Sequence, residues 1–407
     1  MTRTCIIVGA SHAGANLALT LRQSGWDGEI LLIGEERHIP YHRPPLSKEF
    51  LAGKKTLNDI FIRPREVYAK AGIEFRTGKR VKLIDRSAKC VVLVDGEGVA
   101  YDKLALTVGS SVRRMDVPGV RLKGVHYLRN VADVESIRPG IRAGGNAVIV
   151  GGGYIGLETA AVLRQSGMNV TVVEMLARVM QRVTAPQVSS FYTRVHTDEG
   201  VKILCNTGVT AFEGAGRIES VLCSDGKSLP ADLVIIGIGI VPNVDLAKAA
   251  ELEVDNGIVV DEFTRTNDPD IHAAGDCTNH HNRLYDRRVR LESVQNATDQ
   301  ARAAALAICG KDQPYDALPW FWSDQYDLKL QIAGLSQVHD EVILRGDPGH
   351  GRSFAAFYLR EGTVVAVDAV NKPQEFMAGK KLIIERTPVD KARLADPSIP
   401  MRELTSG

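Results

Sequence analysis

Gly151-x-Gly153-x-x-Gly156 follows directly on the apolar run Ala147-Val-Ile-Val150, and Gly9-x-Ser11-x-x-Gly14 follows Cys5-Ile-Ile-Val8 in the same way. A strand, a tight turn and a helix start aim backbone N–H groups and the positive end of a helix at one point, which suits a dinucleotide pyrophosphate. The first glycine makes the turn, the middle one admits phosphate to the backbone, and the third lets the helix pack on the strand. Ser11 holds the middle position of the first loop. Either that loop stands slightly further from its phosphate, or the hydroxyl donates a hydrogen bond to it. Each loop also has an acid: Glu35 lies 21 residues past Gly14 and Glu174 lies 18 residues past Gly156. A carboxylate there accepts ribose hydroxyls. At Glu174 it also repels a 2′-phosphate, so NADH is expected over NADPH. Arg178, four residues on, is a cation that a 2′-phosphate would attract; it is read as facing pyrophosphate or solvent.

The elements that carry these residues are legible from pattern. The first loop helix runs to Gln23 and stops at Ser24-Gly25, a C-terminal signal. Glu29-Ile-Leu-Leu-Ile-Gly34 and Asn169-Val-Thr-Val-Val173 read as buried strands ending at the two acids. Alternation from about Lys79 to Tyr101 predicts short antiparallel strands. Thr266 to Asp276 ends a strand in Ala-x-Gly-Asp, and an alanine-rich helix follows from Ser293 to near Gly310. Beyond Leu318, alternating residues around Phe354 and Val364 predict an antiparallel sheet, then a helix from about Lys372.

Composition narrows the function classes. The 407 residues exceed one ordinary core, and 44% hydrophobic with 24% charged residues is ordinary for a globular chain. A net charge of +1 argues against a nucleic-acid binder relying on a pervasive positive field. The longest apolar stretch, Leu233 to Val241, is too short to span a bilayer, and a cytoplasmic protein is expected. The six cysteines have no CxxC and no His/Cys ligand spacing, so no metal site is expected.

Arg43-Pro-Pro-Leu-Ser-Lys48, after a ribose acid, and Pro319-Trp-Phe-Trp-Ser-Asp-Gln325 make the chain resemble the FAD-containing ferredoxin reductases of bacterial oxygenase systems, the putidaredoxin reductase group. The resemblance implies an α/β chain of two Rossmann-like domains, the NAD domain inserted in the FAD domain, plus a C-terminal α+β domain with an antiparallel sheet. The implied boundaries are 1–110 and 238–318 for FAD, 111–237 for NADH and 319–407 for a C-terminal interface domain. It implies FAD on Gly9, Ser11, Gly14, Glu35, Arg43 and Lys48, with Asp276 on the ribityl chain. Ser293 and Val294 would lie under the flavin pyrimidine, Gly239 on its nicotinamide side and Trp322 near its exposed edge. Trp320 or Trp322 would shield the flavin or anchor the C-terminal domain. NADH would lie on Gly151, Gly153, Gly156 and Glu174. Lys48 and Glu158 would oppose each other near the hydride-accepting atom.

The activity so implied takes hydride from NADH onto FAD and passes electrons singly to a [2Fe-2S] ferredoxin. That ferredoxin would feed a haem monooxygenase or a dioxygenase, and would be steered by Arg287, Arg288, Arg290 and Arg302 near Trp322. Disulfide or peroxide reduction would need a redox cysteine near the flavin, and this chain has none in the family positions. Two alternatives remain: a reductase of rubredoxin or another small acceptor, and a redox interaction protein like apoptosis-inducing factor.

Overall fold

The computed structural model describes residues 3–404. The chain gathers into two compact units. The first comprises Met1–His42, Leu57–Ser111 and Ile240–Pro319; the second comprises Arg43–Thr56, Val112–Gly239 and Trp320–Gly407.

In the first unit the strands Ile271–Ala273, Lys103–Leu106, Thr4–Val8, Glu29–Gly34 and Ile73–Thr77 form one sheet in that order, with every pairing parallel. Its central strands carry almost uninterrupted Val, Ile and Leu because both faces are covered. One face meets the helices His12–Gln23 and Val294–Ile308, where Ala15, Ala18, Ala301, Ala304 and Ala305 are fully buried. Side chains this small let the two helix backbones and the sheet approach closely. The other face meets the antiparallel strands Val81–Asp85, Cys90–Leu93 and Gly98–Ala100, sealed by Val91 and Leu93.

The second unit repeats the parallel design with Lys202–Leu204, Asn169–Val173, Asn146–Val150, Leu233–Ile236 and Val125–Tyr127. It adds a five-stranded antiparallel sheet ordered Trp320–Gln325, Leu328–Gly334, Thr363–Val370, Phe354–Arg360, Glu341–Arg345. The helix Pro373–Glu385 begins just past Lys372, as its proline at the first turn favours.

The repetition extends past the glycines. His12–Gln23 and Tyr154–Gln165 are each 12 residues long, and both run into the same five residues, Leu21-Arg-Gln-Ser-Gly25 and Leu163-Arg-Gln-Ser-Gly167. Arg22 and Arg164 then do the same work. Arg22 Nε donates to Ala71 O at 2.7 Å and Nη1 to Trp26 O at 2.6 Å; Arg164 Nε donates to Glu199 O at 2.7 Å and Nη1 to Met168 O at 3.1 Å. Among the described residues no helix is long and apolar enough to cross a membrane.

Candidate functional site

Both glycine loops are shaped by the protein's own backbone at their outer positions. Gly9 and Gly151 have φ of +117° and +106°, and a Cβ at either would lie 2.2 Å from Thr107 O or 2.4 Å from Gly237 O. At Gly14 and Gly156 a Cβ would meet the carbonyl of the first glycine at 2.0 and 2.1 Å. The middle position differs: a Cβ on Gly153 would meet nothing within 4 Å. Ser11 and Gly153 are the extended N-cap residues of the two loop helices, and neither helix has a side-chain cap. At Gly153 the open space beside a helix start with no side-chain cap fits a pyrophosphate.

Glu174 is already bonded to the second loop. Its Oε2 accepts from Gly152 N at 2.7 Å and its Oε1 from Leu176 N at 2.8 Å. Glu35 instead is 70% exposed, with Arg80 Nη1 at 3.6 Å. Arg178 is spent inside the second unit, donating to Thr184 O at 2.8 Å and Gln181 O at 3.2 Å. These bonds tie its guanidinium to the turn that follows Glu174. Burial lowers its pKa from the usual guanidinium value.

Lys48 and Glu158 form a buried ion pair, Nζ to Oε2 at 2.8 Å, with side chains 12% and 1% exposed. Lys48 is brought there by the short turn Pro44–Ser47, where two prolines stiffen the backbone, and Glu158 by the second loop helix. Ser47 Oγ donates to Glu158 Oε2 at 2.5 Å and Ser323 Oγ to Oε1 at 2.6 Å. A buried carboxylate is thus supplied with three donors, which offsets its desolvation. Arg43 donates to Arg129 O at 2.7 Å, tethering the start of the same turn.

In the first unit Ser110 Oγ donates to Asp276 Oδ2 at 2.8 Å. Gln300 Oε1, fully buried, accepts from Gly275 N at 2.8 Å and so fixes the turn before that carboxylate. Ser293 caps the helix that begins at Val294, accepting from Asn296 N at 3.1 Å. In the second unit Gly239 has φ of +104°, which explains the glycine independently of any ligand. Trp322 and Trp320 lie on one face of their strand, centroids 5.5 Å apart, and line a pocket of about 700 Å³ with Asp324, Lys329 and Gln331.

Two arginines of the basic cluster are engaged by their own unit. Arg288 donates to Asn279 O at 2.8 Å and Val260 O at 3.1 Å, and Arg290 pairs with Glu292 at 2.5 Å with its side chain 14% exposed. Arg302 is exposed on its helix.

Burial pushes the Cys277 thiol up to about 12 and raises those of Cys5, Cys205, Cys223 and Cys309, so none of these offers a thiolate. Among the described residues no group of three or more His, Cys, Asp or Glu is poised to hold a metal. Ser47, Ser110, Gln300 and Ser323 carry no recognisable motif of their own. The signal available for two of them was a lone serine inside each of the two most distinctive stretches.

The family model for pyridine nucleotide-disulphide oxidoreductases matches residues 3–301, and the reductase C-terminal model matches 320–405. The chain is 46% identical to putidaredoxin reductase CamA of Pseudomonas putida, over 98% of this chain and 96% of that one. It is 45% identical to the ferredoxin reductase subunit of 5,5'-dehydrodivanillate O-demethylase from Sphingobium sp., over 99% and 98%. The crystal structure of the covalent putidaredoxin reductase–putidaredoxin complex matches with a TM-score of 0.96 at 45% identity, covering 99% of this chain and 98% of that one. Two parallel sheets with glycine loops, an antiparallel C-terminal sheet and these matches together place the chain in the pyridine nucleotide-disulphide oxidoreductase family, among its putidaredoxin reductase-like ferredoxin reductases.

Proposed function

We propose that this protein is an NADH:ferredoxin oxidoreductase that takes hydride onto FAD and delivers electrons one at a time to a [2Fe-2S] ferredoxin feeding a haem monooxygenase or a dioxygenase. The observation that carries the reading is the buried pair between Lys48 and Glu158 of the helix that opens at the NADH loop, a pair fixed by Ser47 and Ser323. Bound FAD supplies the chemistry, accepting two electrons as hydride and releasing them singly.

The chain's own residues bind, orient and set charge. N–H groups of the two loop helices hold the pyrophosphates, FAD on Gly9, Ser11 and Gly14 and NADH on Gly151, Gly153 and Gly156. Glu35 and Glu174 take the riboses, Asp276 the ribityl chain, and Arg43 lies along the FAD. With Arg178 bonded to carbonyls of its own turn, Glu174 is left to repel a 2′-phosphate, which favours NADH over NADPH. Lys48 stabilises negative charge at the ring edge while Glu158 keeps the ammonium in place. The helix start at Ser293 and Val294 adds a positive dipole end, and Gly239 keeps the nicotinamide side clear of a side chain.

We assign residues 1–110 and 238–318 to FAD, 111–237 to NADH and 319–407 to the acceptor interface. Trp322 and Arg302 are the side chains assigned to ferredoxin docking. Arg287, Arg288 and Arg290 contribute charge to steering. The protein acts in the cytoplasm, consistent with six unpaired thiols. The test is NADH and NADPH oxidation by the purified yellow protein with [2Fe-2S] ferredoxins and rubredoxin as acceptors, across ionic strength. Turnover should favour NADH and ferredoxin and fall with salt. Equal or faster turnover with rubredoxin would replace the acceptor, and a colourless protein inert to NADH would end the proposal.

A further inference from the structure

A line of buried side chains continues outward from Glu158, and the hydrogen positions along it are forced. Ser323, Gln325 and His196 are 0, 1 and 0% exposed, so water does not decide their orientation. Ser323 Oγ lies 2.6 Å from Glu158 Oε1; Gln325 Nε2 lies 3.2 Å from Ser323 Oγ; His196 Nε2 lies 2.8 Å from Gln325 Oε1; and Tyr326 Oη lies 3.4 Å from His196 Nδ1. A carboxylate paired with Lys48 only accepts, so the single hydroxyl hydrogen of Ser323 must point at Glu158. Ser323 must then receive its other bond, and Gln325 must turn its NH₂ toward it and its oxygen toward His196. The imidazole must therefore carry its hydrogen on Nε2, leaving Nδ1 to accept from Tyr326. The ionisation of one carboxylate dictates the tautomer of a histidine three side chains away.

The surroundings fit that order. Burial pushes the His196 pKa below its usual range, which keeps the ring neutral. Tyr326 sits at φ of +56°, a strained backbone for a tyrosine, and its ring packs edge-on against His196 with centroids 5.1 Å apart. A hairpin turn held in that conformation is a built feature rather than a loose end.

We propose that Gln325 and His196 are positioning residues for flavin reduction: they hold the Ser323 hydroxyl hydrogen on Glu158 and thereby fix the Glu158 carboxylate against Lys48. The inference rests on the proposed role of that ion pair. Donors aligned in one direction polarise each other, so the outer links strengthen the last bond. A role in packing alone would not impose a hydrogen-bond direction.

The test compares wild-type holoenzyme with Ser323→Ala, Gln325→Met and the double variant, tracking FAD content and melting temperature. In anaerobic stopped flow, each single variant should lower the limiting rate of flavin reduction by about 3- to 10-fold with NADH affinity unchanged, as one lost bond to a charge implies. The double variant should be no slower than Ser323→Ala, because Gln325 acts through Ser323. Additive losses, or a wild-type rate in Gln325→Met, overturn the proposal. Independently of turnover, the ring ¹⁵N shifts of His196, assigned against His196→Asn, should show the neutral Nε2–H form, and an Nδ1–H form or a cation near neutral pH overturns it. An enzyme that never accepts hydride from NADH refutes the functional reading instead, and the tautomer still tests the hydrogen-bond order.

Discussion

The two glycine loops share one plan but not one set of reasons. In both, the outer glycines are required by the protein itself, since a Cβ would press into a carbonyl at 2.0 to 2.4 Å. The middle position is open in the second loop and holds Ser11 in the first. A residue that only the ligand constrains is free to change when the ligand stands slightly further off; a residue that the backbone constrains is not. The loops differ again five residues past the middle position. There Glu158 meets Lys48 and two serines, whereas Asn16 merely donates to His12 O of its own helix at 2.8 Å. One helix carries a buried charge pair near its start, and the other carries only a bond to its own backbone there.

The largest effect should come from breaking what the loops share. Gly14→Ala or Gly156→Ala should cost about 1–3 kcal/mol or more by overpacking. Melting curves should show the loss, with retained flavin falling in Gly14→Ala and NADH binding in Gly156→Ala. Intact melting and binding in either variant would mean that the loop yields to a methyl group.

Breaking the difference comes next. Glu158→Asn gives the second helix the residue of the first. It should slow flavin reduction by NADH about 10- to 100-fold, the consequence of leaving a buried ammonium with a weaker partner. Stopped-flow reduction at saturating NADH measures it, and a rate within twofold of wild type would remove Glu158 from the chemistry.

Gly153→Ser gives the second loop the serine of the first. With no atom within 4 Å of the new Cβ, stability should hold within about 0.5 kcal/mol. The KM for NADH should rise severalfold, because the hydroxymethyl group occupies ligand space. A lower melting temperature with unchanged KM would reverse the assignment of that space.

The acids give the smallest contrast. Glu174→Gln loses a charged acceptor from Gly152 N as well as a ribose partner, so NADH affinity should fall about tenfold. Glu35→Gln, at an exposed carboxylate, should weaken FAD retention by less, and equilibrium dialysis ranks the two.

The glycine spacings, the strands that end before Glu35 and Glu174, the short sheet near Cys90 and the antiparallel C-terminal sheet were legible from pattern, because each is a local agreement between side-chain period and backbone. The likeness between Arg22 and Arg164 was equally present in the letters, but it gained meaning only when both guanidiniums were seen closing the same helix ends. Arg178 shows what spacing alone leaves out. Its position beside Glu174 suggested pyrophosphate or solvent, yet backbone carbonyls of the following turn claim it.

The sequence by itself determined two dinucleotide loops, their acids and the absence of paired cysteines, since these depend on residue type and short spacing. Only the tertiary structure decided that Ser47, Lys48 and Ser323 converge on Glu158, and that Gln325 and His196 stand behind Ser323. The bonds that join the Ser47 turn, the Glu158 helix, the Ser323 strand and His196 span 111, 165 and 129 positions of the chain. Hydrogen bonds over such separations are set by how sheets and helices pack, and no local periodicity records them.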